Sequence, residues 1–209
     1  MKAPIQFTAK GLGFNRLGLF LFILFTCGSA NGQVDPSWLK SWNIAQQSKP
    51  SKIASSSRIG PENEPGKPLI IKGRIFNPDG TTAAAVLVHA YHRDAKGYDF
   101  GEKDSELSTW KLQGWAKTDK NGCFEFRTIK PTADHLGREG AHIHFTTISE
   151  KYGKQWAPKV FLADDPLLKE SQRIRSEEAG QFGWICEIRE RDGIQFIEVN
   201  IKLKNKQDF

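Results

Sequence analysis

Apolar and polar residues alternate along short runs between residues 69 and 203, most clearly in residues 123–129 (CFEFRTI). A period of two places every second side chain on one face, which is typical of half-buried β-strands. Turn-forming sequences separate the runs, among them residues 77–80 (NPDG) and 119–122 (DKNG). The predicted strands are 69–76, 84–91, 110–118, 123–129, 142–148, 159–162, 183–189 and 194–203.

This pattern predicts an all-β fold for residues 67–205, an antiparallel β-sandwich of about seven to eight strands with little helix. One charged helix is predicted from Pro166 to Glu178. Residues 33–66 differ, because they are rich in Ser, Lys, Gln and Pro. We predict a low-complexity tether there, with one or two helical turns from Pro36 to Ile44.

The first 32 residues have the pattern of an export signal. A basic stretch ends at Arg16, an apolar run follows from Leu17 to Phe25, and small or polar residues continue to Gly32. The apolar run is too short to span a bilayer. We therefore predict a signal peptide over residues 1–32 and an exported protein that is secreted, periplasmic or at the cell surface. A lipid anchor at Cys27 and an uncleaved membrane anchor are the alternatives.

Composition excludes several classes of protein. The 209 residues hold 30 Lys and Arg against 24 Asp and Glu. Three of these bases and no acid lie in residues 1–32, so the remainder has 27 bases and a net charge of only +3. This small excess, without a basic run, predicts no nucleic-acid partner. Three cysteines exclude a disulfide scaffold and a four-cysteine zinc site. Cys123 and Cys186 are predicted as buried thiols, with a disulfide between them as the alternative.

Two histidines are the first candidates for chemistry. His142 and His144 flank Ile143 in a predicted strand, so both imidazoles point to the same face and Ile143 points to the other. Two imidazoles that converge from one face form half of a transition-metal site. A pair of surface or hydrogen-bonded histidines is the alternative. His89 is predicted as a core histidine and His92 as a loop residue near the site.

Four blocks of the sequence resemble the intradiol ring-cleavage dioxygenase family, and they occur in that family's order within residues 67–165. They are residues 68–80, 89–98 (HAYHRDAKGY), 112–131 (LQGWAKTDKNGCFEFRTIKP) and 141–145 (AHIHF). The resemblance implies a β-sandwich with a mononuclear non-haem Fe(III) held by two tyrosines and two histidines. It also implies a reaction of O2 with a small catechol, whose ring opens between the hydroxyls to a muconate-type diacid. On the matching positions, Tyr98 is a tyrosine ligand, and His142 and His144 are the histidine ligands.

The sequence departs from the family pattern at three positions. The second tyrosine should follow the Thr-Ile-x-Pro motif by about three positions, where this chain has Asp134. A carboxylate is also a hard oxygen ligand, so we predict Asp134 as the fourth iron ligand, with His135 as the alternative if the loop shifts. For the arginine expected before the histidine pair, Arg138 is the nearest candidate, and we predict that it stabilises negative charge. Glu139, however, stands at the matching offset, and Tyr91 replaces the usual tryptophan.

Two classes of function follow from these residues. The first is an iron enzyme whose partners are a catechol and O2, with no stable membrane span. The same donors could hold a metal for other chemistry. The second class is a non-enzymatic β-sandwich binding module with a degenerate site, because prealbumin-like and carboxypeptidase-regulatory-like domains share the strand and turn texture of residues 69–130.

Overall fold

Two β-sheets pack face to face around the main core. The computed structural model describes residues 34–101 and 108–209. Its strands are β1 (Ser56–Arg58), β2 (Pro68–Phe76), β3 (Leu87–His92), β4 (Leu112–Lys117), β5 (Cys123–Ile129), β6 (His142–Ser149), β7 (Gly153–Trp156), β8 (Val160–Leu162), β9 (Ile185–Cys186), β10 (Arg189–Arg191) and β11 (Ile194–Lys202). The first sheet has the order β1-β5-β2-β11-β10 and the second β4-β3-β6-β8-β9, with β7 paired to β6. The helices are α1 (Pro36–Gln47) and α2 (Glu170–Glu178), and a 3₁₀ turn spans Gly180–Phe182.

Alternation decides which side chains enter the core. In β2, Leu69 and Ile71 are buried, whereas Lys72 is exposed. In β6, Ile143 and Phe145 join the core between the sheets, so His142 and His144, which alternate with them, lie on the opposite face of the strand. The predicted all-β sandwich and its core faces are confirmed.

The prediction of a purely antiparallel sheet is wrong. Three pairings are parallel: β1 with β5, β2 with β11, and β8 with β9. Residues 34–101 and 108–209 contain eleven strands rather than seven to eight, and two helices. Periodicity gives the face of a strand but not its partner, and strands of two or three residues are too short to show a period.

In the described residues 34–66, the helical turns predicted from Pro36 to Ile44 are confirmed by α1, whereas residues 56–58, predicted as tether, form β1. The Asp35 side chain accepts a hydrogen bond from the backbone N–H of Ser37 at 2.8 Å and caps α1, and Pro36 occupies its first turn. Trp42 is 1% exposed. It belongs to a second hydrophobic cluster with Tyr91, Trp110 and other aromatic residues. A single tryptophan-rich face holds this helix although its overall composition is polar.

Several sequence predictions lie outside the described residues, namely the signal peptide over residues 1–32 and the lipidation alternative at Cys27. No helix in residues 34–101 or 108–209 is long and apolar enough to cross a membrane. Cys123 and Cys186 are free thiols, so the alternative of a disulfide between them is wrong. Cys186 is buried as predicted, whereas Cys123 is half-buried.

Candidate active site

The imidazoles of His142 and His144 converge on one point. Their Nε2 atoms are 2.8 Å apart. The Nδ1 atom of His142 lies 2.7 Å from the carbonyl oxygen of Gly140, which can only accept, so this nitrogen carries the proton and Nε2 offers its lone pair. Burial lowers the pKa of both histidines, that of His144 most strongly, so both are neutral near pH 7. Two nitrogens on one metal, at bonds of about 2.1 Å and a right angle, would lie about 3 Å apart. The pair therefore fits a single metal ion.

Tyr91 forms an aromatic wall against this pair. It lies directly across from His144 in the β3–β6 ladder, and the two rings are stacked at 4.4 Å with an interplanar angle of 5°. Tyr91 also stacks on Trp110, at 3.9 Å. Trp38 of α1 donates a hydrogen bond from Nε1 to the Tyr91 hydroxyl at 3.0 Å. Burial raises the pKa of Tyr91, so it remains a neutral phenol.

Tyr98 is held in a loop by a buried carboxylate. Asp94 accepts hydrogen bonds from the backbone N–H of Tyr98 at 3.1 Å and from the ammonium of Lys111 at 2.9 Å. Gly97 has a φ of +87°, and a Cβ there would lie 2.5 Å from the carbonyl oxygen of Ala133. This close approach brings the Tyr98 loop against residues 133–135, where the Tyr98 ring stacks on His135 at 4.5 Å. Iron ligation by Tyr98 stays a prediction.

Asp134 and Arg138 pair with each other rather than with the histidines. One Asp134 oxygen accepts the backbone N–H groups of Arg138 and Glu139, and the other accepts Nε of Arg138 at 3.3 Å. The hydrogen bond from Glu139, followed by those from Arg138, lowers the pKa of Asp134 despite some desolvation. The Arg138 side chain is 73% exposed. These contacts give Asp134 a role in closing the 134–139 turn, and its ligation of iron stays a prediction.

We expect Asp134→Ala to loosen this turn, because two backbone N–H groups and the Arg138 guanidinium would lose their acceptor. The midpoint of urea unfolding should fall modestly, and iron content measured on the same samples distinguishes the two roles. Retention of wild-type iron content would identify Asp134 as a purely structural residue. Loss of iron with little change in the unfolding midpoint would instead support ligation.

Three charged residues beside the histidines escaped the sequence analysis as a group. One carboxylate oxygen of Glu139 lies 3.8 Å from Nε2 of His142 and 3.2 Å from Nη2 of Arg93. The other oxygen is paired with Lys159. Burial alone would raise the pKa of Glu139, but the hydrogen bond from Lys159 and the neighbouring charges lower it. Glu139 could have been found from the sequence, because it stands at the offset from the histidine pair where the family has an arginine. No feature of the sequence around Arg93 or Lys159 indicated that these residues lie near the pair.

His89 and His92 are structural. His89 is fully buried among aromatic rings and contacts Oε1 of Gln113 through Nε2 at 3.0 Å, as expected for a core histidine. The prediction that His92 lies in a loop is wrong, because it ends β3, is fully buried and contacts Oγ1 of Thr128 at 2.8 Å. Burial lowers the pKa of each to about 4.

Two cavities adjoin His144, with volumes of about 340 and 270 Å³. Both are lined by Asp35, Trp38, Tyr91 and His144, so α1 contributes to both. Lys159 lines the larger of the two. A third cavity of about 690 Å³ is lined by charged residues of α2, β10 and β11 and by no histidine. We assign the site by its chemistry rather than by volume, and therefore to the cavities at His144.

Across residues 34–101 and 108–209, no group of three or more His, Cys, Asp and Glu side chains is arranged to hold a metal. The histidine pair therefore supplies two nitrogen donors. Any further protein ligand must be of another type, such as a tyrosine, or must move on binding.

The sequence matches the family model described as Dioxygenase over residues 44–203. It is 31% identical to catechol 1,2-dioxygenase 1 of Acinetobacter lwoffii over 127 residues, which cover 53% of this chain and 40% of that protein. It is 28% identical to the protocatechuate 3,4-dioxygenase beta chain of Burkholderia cepacia over 112 residues, covering 49% and 48% of the two chains. The chain thus spans about half the length, or less, of these two curated relatives.

Solved structures agree on the fold. The catechol 1,2-dioxygenase of Acinetobacter sp. ADP1 superposes with a TM-score of 0.56 at 21% identity, over 77% of this chain and 63% of that one. The dioxygenase domain of a carbohydrate-binding fusion protein from Streptomyces sp. SirexAA-E gives a TM-score of 0.54 at 18% identity, over 74% and 91%. At this level of identity, the superpositions establish the architecture alone.

Proposed function

The chain belongs to the intradiol ring-cleavage dioxygenase family, and we propose that it is a non-haem Fe(III) enzyme that opens a catechol-type ring between its hydroxyls to a muconate-type diacid. The observation that carries this proposal is the pair of Nε2 atoms, 2.8 Å apart, on His142 and His144. The names of the relatives support the catechol class of substrate.

A bound iron would supply a Lewis acid and a template for substrate. Neutral His142 and His144 would hold it without a prior loss of protons. Tyr98 is the proposed oxygen ligand from the protein. Ligation by Asp134 would require its carboxylate to leave at least part of the hydrogen-bond network of the 134–139 turn.

The aromatic walls would orient the substrate ring. Trp38, Tyr91 and Trp156 line the larger cavity beside His144, and their flat apolar faces suit a planar aromatic molecule. Lys159 lines the same cavity and adds a cation, which favours a substrate in its anionic form.

The direct test of this function uses the purified, iron-loaded protein with catechol and ¹⁸O2. We expect one O2 to be consumed per ring opened and both labelled oxygen atoms to be found in the diacid product by mass spectrometry. An iron-loaded protein that leaves catechol and O2 unchanged would contradict the enzyme assignment for this substrate. Failure to bind iron at all would favour the competing function, a non-enzymatic binding module. The observation in favour of that module is that the Asp134 carboxylate is already hydrogen-bonded to Arg138 and Glu139.

Tyr98→Phe is expected to abolish the visible tyrosinate-to-iron absorption band of the iron-loaded protein, because phenylalanine has no oxygen to bind the metal. Absorption spectra of wild type and variant at equal iron content check this. Tyr152→Phe is the matched control, since Tyr152 packs against the core between the sheets. A band that survives in Tyr98→Phe would identify a different phenolate as the ligand.

We further propose that the protein is exported, on the strength of the basic and apolar pattern of residues 1–32. Mature protein that begins at Gln33, identified by N-terminal sequencing, would support cleavage after Gly32. A mature terminus elsewhere would overturn this cleavage position.

A further inference from the structure

The guanidinium of Arg93 is anchored through two of its nitrogens, and its third nitrogen has no hydrogen-bond partner among the described residues. Its Nε donates to Oδ2 of Asp99 and its Nη2 to Oε2 of Glu139, both at 3.2 Å. Its Nη1 is buried and meets no acceptor among the residues that the structure describes. The side chain is only 15% exposed. A buried N–H donor on a charged group costs free energy when it has no acceptor, so an oxygen atom placed at this nitrogen would be stabilising.

The position of Arg93 connects it to the histidine pair. The Glu139 oxygen that accepts Nη2 also lies 3.8 Å from Nε2 of His142. Asp99 lines the smaller cavity at His144, and Lys159, which binds the other Glu139 oxygen, lines the larger. The guanidinium of Arg93 is therefore one carboxylate away from His142. Its partners connect it to both cavities, Asp99 directly and Glu139 through Lys159, while Arg93 itself lines neither.

We propose that Arg93 binds an anionic oxygen of the aromatic substrate beside the histidine pair. This inference rests on the proposed function. Arginine remains charged under all ordinary conditions and presents its donors in a rigid fork. Asp99 and Glu139 fix two nitrogens of the guanidinium, so the direction of Nη1 is set before substrate binds. Donors that are oriented in advance give effective electrostatic stabilisation. Arg138, which the sequence favoured for this role, is 73% exposed and paired with Asp134.

The test measures binding of 4-nitrocatechol to the iron-loaded protein without O2, so that no turnover occurs. The absorption of the probe reports both its dissociation constant and its ionisation. Arg93→Gln is expected to weaken binding about ten- to hundredfold, the range for a lost hydrogen bond to a charged group. It should also reduce the ionised fraction of bound probe, at unchanged iron content. Arg93→Lys keeps the positive charge but not the forked donors of the guanidinium. It should recover part of the affinity for the probe and part of its ionised fraction.

Arg127→Gln is the matched control, because Arg127 is 61% exposed and paired with Glu125 within β5. It should bind the probe as the wild type does. Wild-type affinity in Arg93→Gln, no recovery in Arg93→Lys, or a loss found in Arg138→Gln instead would each overturn the inference. If Arg93→Gln fails to fold, the affinities of Arg93→Lys and Arg138→Gln for 4-nitrocatechol are compared instead. We expect the larger loss of affinity in Arg93→Lys. A wild-type protein that binds no 4-nitrocatechol would remove the proposed function as well, whereas failure confined to the variants removes this inference alone.

Discussion

Replacement of both His142 and His144 by alanine is expected to abolish iron binding while the β-sandwich stays folded. The two Nε2 atoms are the only nitrogens of the described residues that we assign to the metal, and they lie 2.8 Å apart. Changes to the partners of metal ligands already reduce affinity about 10–100-fold, so removal of two ligands should leave less than about a tenth of the wild-type iron content. Metal content per protein, measured by mass spectrometry after dialysis, checks this.

The fold should survive because the β6 side chains of the core between the sheets, Ile143 and Phe145, are unchanged. Far-ultraviolet circular dichroism of the double variant should therefore match the wild type. His135→Ala is the comparison variant, since His135 is exposed and stacks on Tyr98. Iron retained by the double variant but lost in His135→Ala would move the metal site from β6 to the 133–135 loop.

Trp42→Ala is expected to destabilise the whole sandwich, by about 3–5 kcal/mol. The indole is 1% exposed and contacts His89, Trp115 and Trp38 at ring-centroid distances of 5.4, 5.6 and 5.5 Å. Its removal would leave a cavity that these rigid rings cannot fill. For a chain of this size the melting temperature should fall by roughly 6–20 °C, measured by calorimetry.

Leu39→Ala provides the control on the same helix, because Leu39 is 38% exposed. It should change the melting temperature by a small fraction of the Trp42 effect. Equal and negligible effects of both substitutions would mean that α1 is a loosely attached segment, as its composition suggested.

The histidine pair could be found from sequence because its geometry is local. Residues two apart on a strand share a face regardless of the rest of the fold. Prediction of a strand over residues 142–148 therefore already places His142 and His144 side by side. The same argument gave the core positions of β2 and β6. These predictions needed only the period of the strand and the alternation of apolar and polar residues.

The remainder depends on contacts between distant parts of the chain. The parallel pairing of β2 with β11 joins residues 69–76 to 195–202, and no property of either strand specifies that partner. Trp38 reaches Tyr91 across 53 positions, and Arg93 reaches Glu139 across 46. A polar helix is recognised as part of the core only when its few aromatic side chains are seen against their partners.

The aromatic wall of the site and the support of α1 are the same set of rings. Trp38 stacks on Trp42 at 5.5 Å, binds the Tyr91 hydroxyl, and lines both cavities. A mutation that reshapes this wall for a different ring therefore also weakens the attachment of the helix. Evolution of specificity along this wall is then limited by the stability that the protein can lose, and substitutions at Lys159, outside the aromatic cluster, leave more freedom for change.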